Sequence, residues 1–364
     1  MINFAIVCKF LGLADNFRVM ITVEHNIDLR RLSTFGVQGT AFRLVTYTSQ
    51  EDLIELFSDN TGKWLTGKTV HIGDGSNLLF VGDFNGTLLK SAIAGTPIIT
   101  DNNDESVSVT AGAGMTMDDL CAEMALQSLW GIENLSGIPG QVGAAAVQNI
   151  GAYGVEIADV IETVSLFDTK EKEFCNIPKE ECGYGYRTSI FKSLPYQGRY
   201  IITAVTLRLS KLPQPKLSYG HLAMRVGESP STTEIRKEVK AMRDSKLPDI
   251  SKYGNAGSYF KNVEIDLPTF NHIRSIVQGK DVPHYILDNG KIKVPTAWLI
   301  EQCGLKGVCS GNAMVWHKQP LVIVNATGSA TSADIIRLEE KIVESVKAKF
   351  GVTVEPEVEK IQSI

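Results

Sequence analysis

The sequence predicts an α+β protein of more than one domain, and three observations carry that expectation. The chain has 364 residues, beyond the size at which one hydrophobic core keeps growing. From Ala41 onward, short β-branched runs alternate with helical stretches. A proline-marked break, LPQPKLSYG at 212–220, then sets off a smaller α/β unit that runs to the C-terminus.

The elements follow in order. FRLVTYT (42–48) reads as a strand, and SQEDLIELFSDN (49–60) as a helix opened by Ser49, with Asp52 three residues on in the manner of a capping box. TVHIGDGSNLLF (69–80) is a strand, a tight glycine turn and a second strand. SVSVTAGAG (106–114) is a strand, and TMDDLCAEMALQSL (116–129) an amphipathic helix with Thr116 as its N-cap. GIENLSGIPGQVGAAAVQNIGAYG (131–154) is glycine-rich with only small residues at Ala144–Ala146. Such a run cannot build a thick core alone, and it lets backbone come close to a ligand. VIETVSLFD (160–168) and RYIITAVTLRL (199–209) are strands, and TTEIRKEVKAMRDSK (232–246) is a helix. SADIIRLEEKIVESVKAKFG (332–351) is a long helix stopped by Gly351 at C′, and VTVEPEVEKI (352–361) reads as a closing strand. The expected divisions are an N-terminal extension at 1–19, a first subdomain at 20–92, a second at 93–247, and a C-terminal domain at 248–364.

Composition narrows the function classes. The chain is 43% hydrophobic and 21% charged, with a net charge of −5. That acidic balance speaks against nucleic acid, which is held by neutralising phosphates, and leaves a nucleotide or sugar nucleotide open. No run approaches the ~20 apolar residues of a membrane helix. The first residues lack a basic leader and are interrupted by Lys9, so a cytoplasmic protein is expected. The cysteines, Cys8, Cys121, Cys175, Cys182, Cys303 and Cys309, form no CxxC pair; reduced thiols and no metal site are expected.

Two motifs mislead. Residues 62–69, GKWLTGKT, match GxxxxGK[ST], but a helix precedes them and a strand follows, the reverse of a phosphate-binding P-loop. No GxGxxG lies at a strand–helix junction, so a Rossmann domain is not expected.

The glycine turns are more informative. Ile72–Asn77 joins two apolar runs and presents backbone N–H groups beside Ser76 and Asn77, a concave nest suited to a pyrophosphate. Alone it reads as a turn. With Ser136–Gly140, Val142–Ala144 and Ala111–Gly114, it suggests a cleft lined by backbone for a long ligand.

At these residues the sequence resembles the UDP-N-acetylenolpyruvoylglucosamine reductase family. The matching segments are STFGV (33–37), GDGSNLLF (73–80), AGAG (111–114), ENLSGIPGQVGAAAVQNIGAYG (133–154), GYRTSIF (185–191), KLPD (246–249), GNAGSYFKN (254–262) and EPEV (355–358). The resemblance implies a two-part FAD-binding domain of the vanillyl-alcohol-oxidase (PCMH-type) class, followed by a smaller α/β substrate domain. It implies FAD held non-covalently by Gly73, Asp74, Gly75, Ser76, Asn77, Gly137, Ile138, Pro139, Gly140, Gly143 and Ala144. His71 stands just before the first loop, where some relatives of the wider fold attach flavin covalently. NADPH is the implied co-substrate, and the implied reaction reduces the enolpyruvyl ether of a UDP-sugar in peptidoglycan precursor synthesis.

The resemblance also assigns roles. Arg187 matches the catalytic arginine; a guanidinium stays charged and can fork onto a carboxylate. Ser258 matches the proton donor and Glu357 the catalytic glutamate, with Glu355 its neighbouring competitor. Tyr186, Tyr219, Lys246, Asn262, Tyr285 and Lys306 match substrate positions, and Tyr219 with Tyr285 points to the subtype whose mobile tyrosine closes over UDP. The chain departs from the pattern at Glu359, where an arginine is usual, and follows it less tightly over 308–320. A monomer is expected. The competing readings are a flavin oxidase of the same fold and a non-catalytic sensor of UDP-sugars.

Overall fold

The computed structural model describes residues 20–59, 61–278 and 281–363, so the expected extension at 1–19 lies outside the described residues, as does Cys8. The first unit carries β1 (Thr22–Asp28), β2 (Thr40–Tyr47), β3 (Thr69–Ile72), β4 (Leu78–Phe80) and β5 (Phe84–Ser91). Four of these form a sheet in the order β1-β2-β5-β3, with β2 and β3 both parallel to β5. The helix α1 (Gln50–Ser58) starts at the expected capping box: Asp52 N–H donates to Ser49 Oγ at 3.1 Å and Ser49 N–H to Asp52 Oδ2 at 3.2 Å. The P-loop look-alike forms bends between α1 and β3, and no helix follows it.

The second unit is an antiparallel sheet. It contains β6 (Ile98–Asp101), β7 (Ser106–Gly112), the small hairpin β8 (Gly151–Ala152) and β9 (Val155–Glu156), and β10 (Ile161–Asp168), β11 (Glu173–Pro178) and β12 (Tyr200–Ser210). The sheet runs β11-β10-β12-β7-β6, and β7 alternates cleanly, with Val107, Val109 and Ala111 buried. Over it lie α2 (Met117–Leu126), capped by Thr116, and α3 (Val142–Gln148). The sequence reading left α3 as open glycine-rich backbone. It becomes a helix because its small face lies directly on β7 and β12, so close that a Cβ on Gly143 would come 2.8 Å from Ala113 Cβ. Then come α4 (Leu222–Val226) and α5 (Thr232–Lys246), the latter packed on α2.

The third unit holds β13 (Gly254–Asn255), β14 (Val263–Ile265), α6 (Leu267–Ile276), β15 (Tyr285–Ile286), β16 (Ile292–Val294), α7 (Thr296–Gln302), β17 (Cys309–Ser310), β18 (Ala313–Val315), β19 (Ile323–Asn325) and α8 (Ser332–Phe350). In α8 the stripe Ile335, Leu338, Ile342, Val346 and Phe350 is fully buried, and Gly351 stops the helix at φ 71°. The same core takes in Phe35, Val37 and Leu79 from the first unit.

The closing strand differs from the reading. Pro356 cannot donate to a ladder, and the segment before it makes only an isolated bridge, Phe260 to Pro356. Only β20 (Glu359–Ile361) is a strand, and it pairs in parallel with β4 in the first unit. Among the described residues no helix is long and apolar enough to cross a membrane.

Phe35, fully buried in the third unit's core, should reveal this sharing. Phe35→Ala should cost about 3–5 kcal/mol in urea unfolding, with both units lost in one transition. Separate transitions for the two units would contradict a shared core.

Candidate active site

Two stretches of one cleft pass between the units. The first, about 790 Å³, is lined by Gly73, Asp74, Gly75, Ser76, Asn77, Gly143 and Ala144, with His71 at its edge. The second, about 860 Å³, is lined by Ile138, Pro139, Gly140, Arg187, Arg243, Ser258 and Glu357. Ser76, Asn77, Gln141, Ala144 and Gln148 line both, so the cleft is continuous.

The floor is built of backbone because side chains do not fit. A Cβ on Gly75, at φ 69°, would lie 1.9 Å from Leu32 O. Ser76 Oγ donates to Pro139 O at 3.0 Å and joins the two glycine loops. Among the described residues, the backbone N–H groups of Asp74, Gly75, Ser76 and Asn77 have no protein acceptor, nor do those of Gly140 and Gln141. Orphan amides facing a long cleft are what a dinucleotide pyrophosphate requires, so these residues fit FAD. Gly137 instead faces structure: its N–H donates to Asp118 Oδ1 at 2.6 Å and its carbonyl accepts from Arg243 Nε at 3.1 Å. Burial works against the Asp118 carboxylate, but hydrogen bonds from Arg236, Lys240 and Gly137 N–H hold it well below the usual range.

At the far end, a four-residue turn closed by Gly185 N–H to Thr188 O at 3.1 Å throws Arg187 toward the cleft, with Arg187 itself at φ 54°. Its Nε donates to Glu357 Oε1 at 3.0 Å, Nη1 to Asn149 O at 3.3 Å and Nη2 to Gly151 O at 2.8 Å. Glu357 is placed by its N–H, which donates to Tyr259 O at 2.7 Å, directly beside Ser258. The Ser258 hydroxyl has no protein partner among the described residues, and Gly257, at φ 68°, leaves open space next to it.

Gln148 was not foreseen. Its Nε2 donates to Glu357 Oε1 at 2.6 Å, while its Oε1 accepts from Asn77 Nδ2 at 2.6 Å. Arg187 and Gln148 thus both engage Oε1, leaving Oε2 to the cleft. Asn149, left-handed at φ 49°, was also missed; its Nδ2 donates to Gly185 O at 2.9 Å and steadies the arginine turn. The only sequence signal for either was a polar pair inside a run of small residues.

The substrate positions scatter. Tyr186 OH accepts from Asn262 N–H at 3.2 Å, with Lys293 Nζ 3.7 Å over its ring, and both Tyr186 and Asn262 line a third hollow. Asn262 Oδ1 is taken up by Thr296 N–H at 3.1 Å. Tyr219 packs edge-on against Tyr153 at 5.7 Å; desolvation, then the Tyr285 phenol, pushes its hydroxyl pKa up. Lys246 ends α5 with its side chain exposed, its carbonyl held by Trp316 Nε1 at 3.1 Å. Lys306 pairs with Glu301 and lines neither stretch of the cleft.

His71 Nε2 lies 2.9 Å from the Tyr47 hydroxyl. The histidine is exposed toward the cleft, while the protein packed around its ring pushes the imidazole pKa down to about 4. The unfolded chain protonates it near 6.5, so its contribution to stability is complete above that pH and is lost as pH falls toward 4. Urea titrations between these values should show stability falling, and His71→Gln should flatten the slope. An unchanged slope would show that the ring, open to the cleft on one side, titrates freely.

Known proteins show the same organisation. A family model described as "FAD binding domain" matches residues 43–173, and one described as "UDP-N-acetylenolpyruvoylglucosamine reductase, C-terminal domain" matches residues 249–361. A UDP-N-acetylenolpyruvoylglucosamine reductase of Bacteroides fragilis is 40% identical over 338 residues, 92% of this chain and 99% of that one. One from Porphyromonas gingivalis is 40% identical over 342 residues, covering 93% of this chain and 99% of its own. The crystal structure of the reductase from Thermus caldophilus superposes with a TM-score of 0.63 at 26% identity, over 94% of this chain and 99% of that one. With the fold and cleft in place, these likenesses show that the chain belongs to the UDP-N-acetylenolpyruvoylglucosamine reductase family of FAD-dependent oxidoreductases.

Proposed function

We propose that the protein reduces UDP-N-acetylglucosamine enolpyruvate to UDP-N-acetylmuramate with NADPH, as a cytoplasmic monomer supplying peptidoglycan precursors. The observation that supports this most is the meeting of Arg187, Ser258 and Glu357 along one stretch of cleft beside the amide-lined loops. FAD, when bound there, supplies the hydride chemistry.

The protein's own groups handle charge and proton. Reduction at the methylene carbon of the enol ether builds negative charge toward the substrate carboxylate. Arg187 stands ready to offset it, held by three acceptors and only 17% exposed in its side chain, so its charge is little screened. Glu357 Oε2 offers the cleft a fixed polar edge, because Oε1 is already engaged. The Ser258 hydroxyl, uncommitted to any protein acceptor, gives its proton to the adjacent carbon and regains one from solvent through the open cleft. Tyr219, Tyr285 and Lys246, all exposed, take the nucleotide end, with Tyr186, Asn262 and Lys306 as further contacts.

Anaerobic stopped-flow absorbance at the flavin band tests the reading. NADPH should bleach the FAD-loaded protein, and the enolpyruvyl sugar nucleotide should restore the colour. Recovery with oxygen alone would favour the oxidase reading. Ser258→Ala should bleach within about twofold of the normal rate yet recover about 10²–10⁴ times more slowly. Equal loss in both halves would remove Ser258 from the proton transfer.

The unforeseen glutamine makes a separate demand. Gln148→Leu keeps the volume but removes both hydrogen bonds of the side chain, so recovery should slow about ten- to a hundredfold through misplacement of Glu357. Recovery at the wild-type rate would show that Arg187 alone suffices to orient the carboxylate.

A further inference from the structure

The Arg187–Glu357 pair is one of two ion pairs across the same seam. Five residues beyond Arg187 and two beyond Glu357, Lys192 Nζ meets Glu359 Oε1 at 2.9 Å. Lys192 ends the short 3-10 turn Ile190–Lys192 that follows the arginine turn. That turn is fastened to α3 by Ser189 Oγ, which donates to Val147 O at 2.6 Å. Glu359 opens β20, and its N–H donates to Asn77 O at 3.0 Å. The Lys192 side chain is only 18% exposed and has no second acceptor among the described residues.

The backbone does not fix this seam by itself. β20 has three residues and takes its ladder from β4 alone, on the first unit. The 185–192 segment belongs to the second unit, and no backbone hydrogen bond joins it to β20 among the described residues. Side-chain contacts, the two ion pairs among them, therefore set how the segment carrying Glu357, two residues before β20, sits against the turn carrying Arg187. We infer that Lys192 and Glu359 are a positioning pair, which holds the Arg187–Glu357 pair in register without touching the reacting atoms. The inference rests on the proposed reaction for its kinetic arm.

A double-mutant cycle with charge reversal tests it. Lys192→Gln should slow recovery of flavin colour by the sugar nucleotide about three- to tenfold, with bleaching by NADPH within about twofold of wild type. Glu359→Gln, at a residue that lines the cofactor stretch of the cleft, should slow recovery by as much. The reversed pair, Lys192→Glu with Glu359→Lys, should regain most of the recovery rate, because only the attraction across the seam is needed. In the FAD-free protein, hydrogen exchange of the 185–192 amides should quicken in both single variants and slow again in the reversed pair.

A reversed pair as slow as either single variant would overturn the inference. So would equal losses in both half-reactions, which mark a general loosening of the fold. Failure of the wild-type protein to recover with the sugar nucleotide would defeat the proposed reaction instead, while amide exchange would still judge the pair.

Discussion

Asn77 donates through Nδ2 to Gln148 Oε1 and to Glu357 O, at 2.6 Å and 3.1 Å, and its own carbonyl accepts from Glu359 N–H at 3.0 Å. These contacts join the first glycine loop, the helix of the second unit and the C-terminal segment at a single residue. The amides of Asp74 to Asn77 are left for a pyrophosphate because the turn's tertiary contacts are made by its carbonyls and by the Ser76 and Asn77 side chains. The loop expected to bind cofactor therefore also anchors the Glu357 carboxylate, and small errors at one end of the cleft reach the other through two side-chain amides.

The amides matter most where net charge is no guide. The chain carries −5 overall, yet the second glycine loop is backed by Arg236, Lys240 and Arg243 on one helix face. Asp118 takes up Arg236 and Lys240, while Arg243 spends only Nε on Gly137 O and lines the cleft. An anionic dinucleotide in this cleft would meet oriented N–H groups and a few local cations despite the net negative charge of the chain.

Much of the fold was legible. Ser49 with Asp52, Thr116 and Gly351 mark helix ends through hydrogen bonds that span a few residues, and short-range chemistry leaves short-range patterns. What the sequence hid depends on distant partners. The helix α3 looks like loop until β7 and β12 cover its small face, and β20 looks like part of its own unit until β4 claims it. The candidate site divides the same way. Arg187, Ser258 and Glu357 were found by resemblance, and nothing local reveals that Arg187 and Glu357, 170 residues apart, share an ion pair. Gln148 lies 209 residues from Glu357 and makes no motif of its own. Lys306, matched to a substrate position by resemblance, stands paired with Glu301 outside both stretches of the cleft.

The pairing of β20 with β4 also has a temporal meaning. Synthesis runs from the N-terminus, so the glycine turn before β4 leaves the ribosome some 280 residues ahead of the segment that Asn77 must grip. During that interval the Asn77 amide has no Glu357 carbonyl to bind and β4 has no neighbour on that edge. The cofactor cleft is completed only once residues 357–361 have been made, long after its glycine loops.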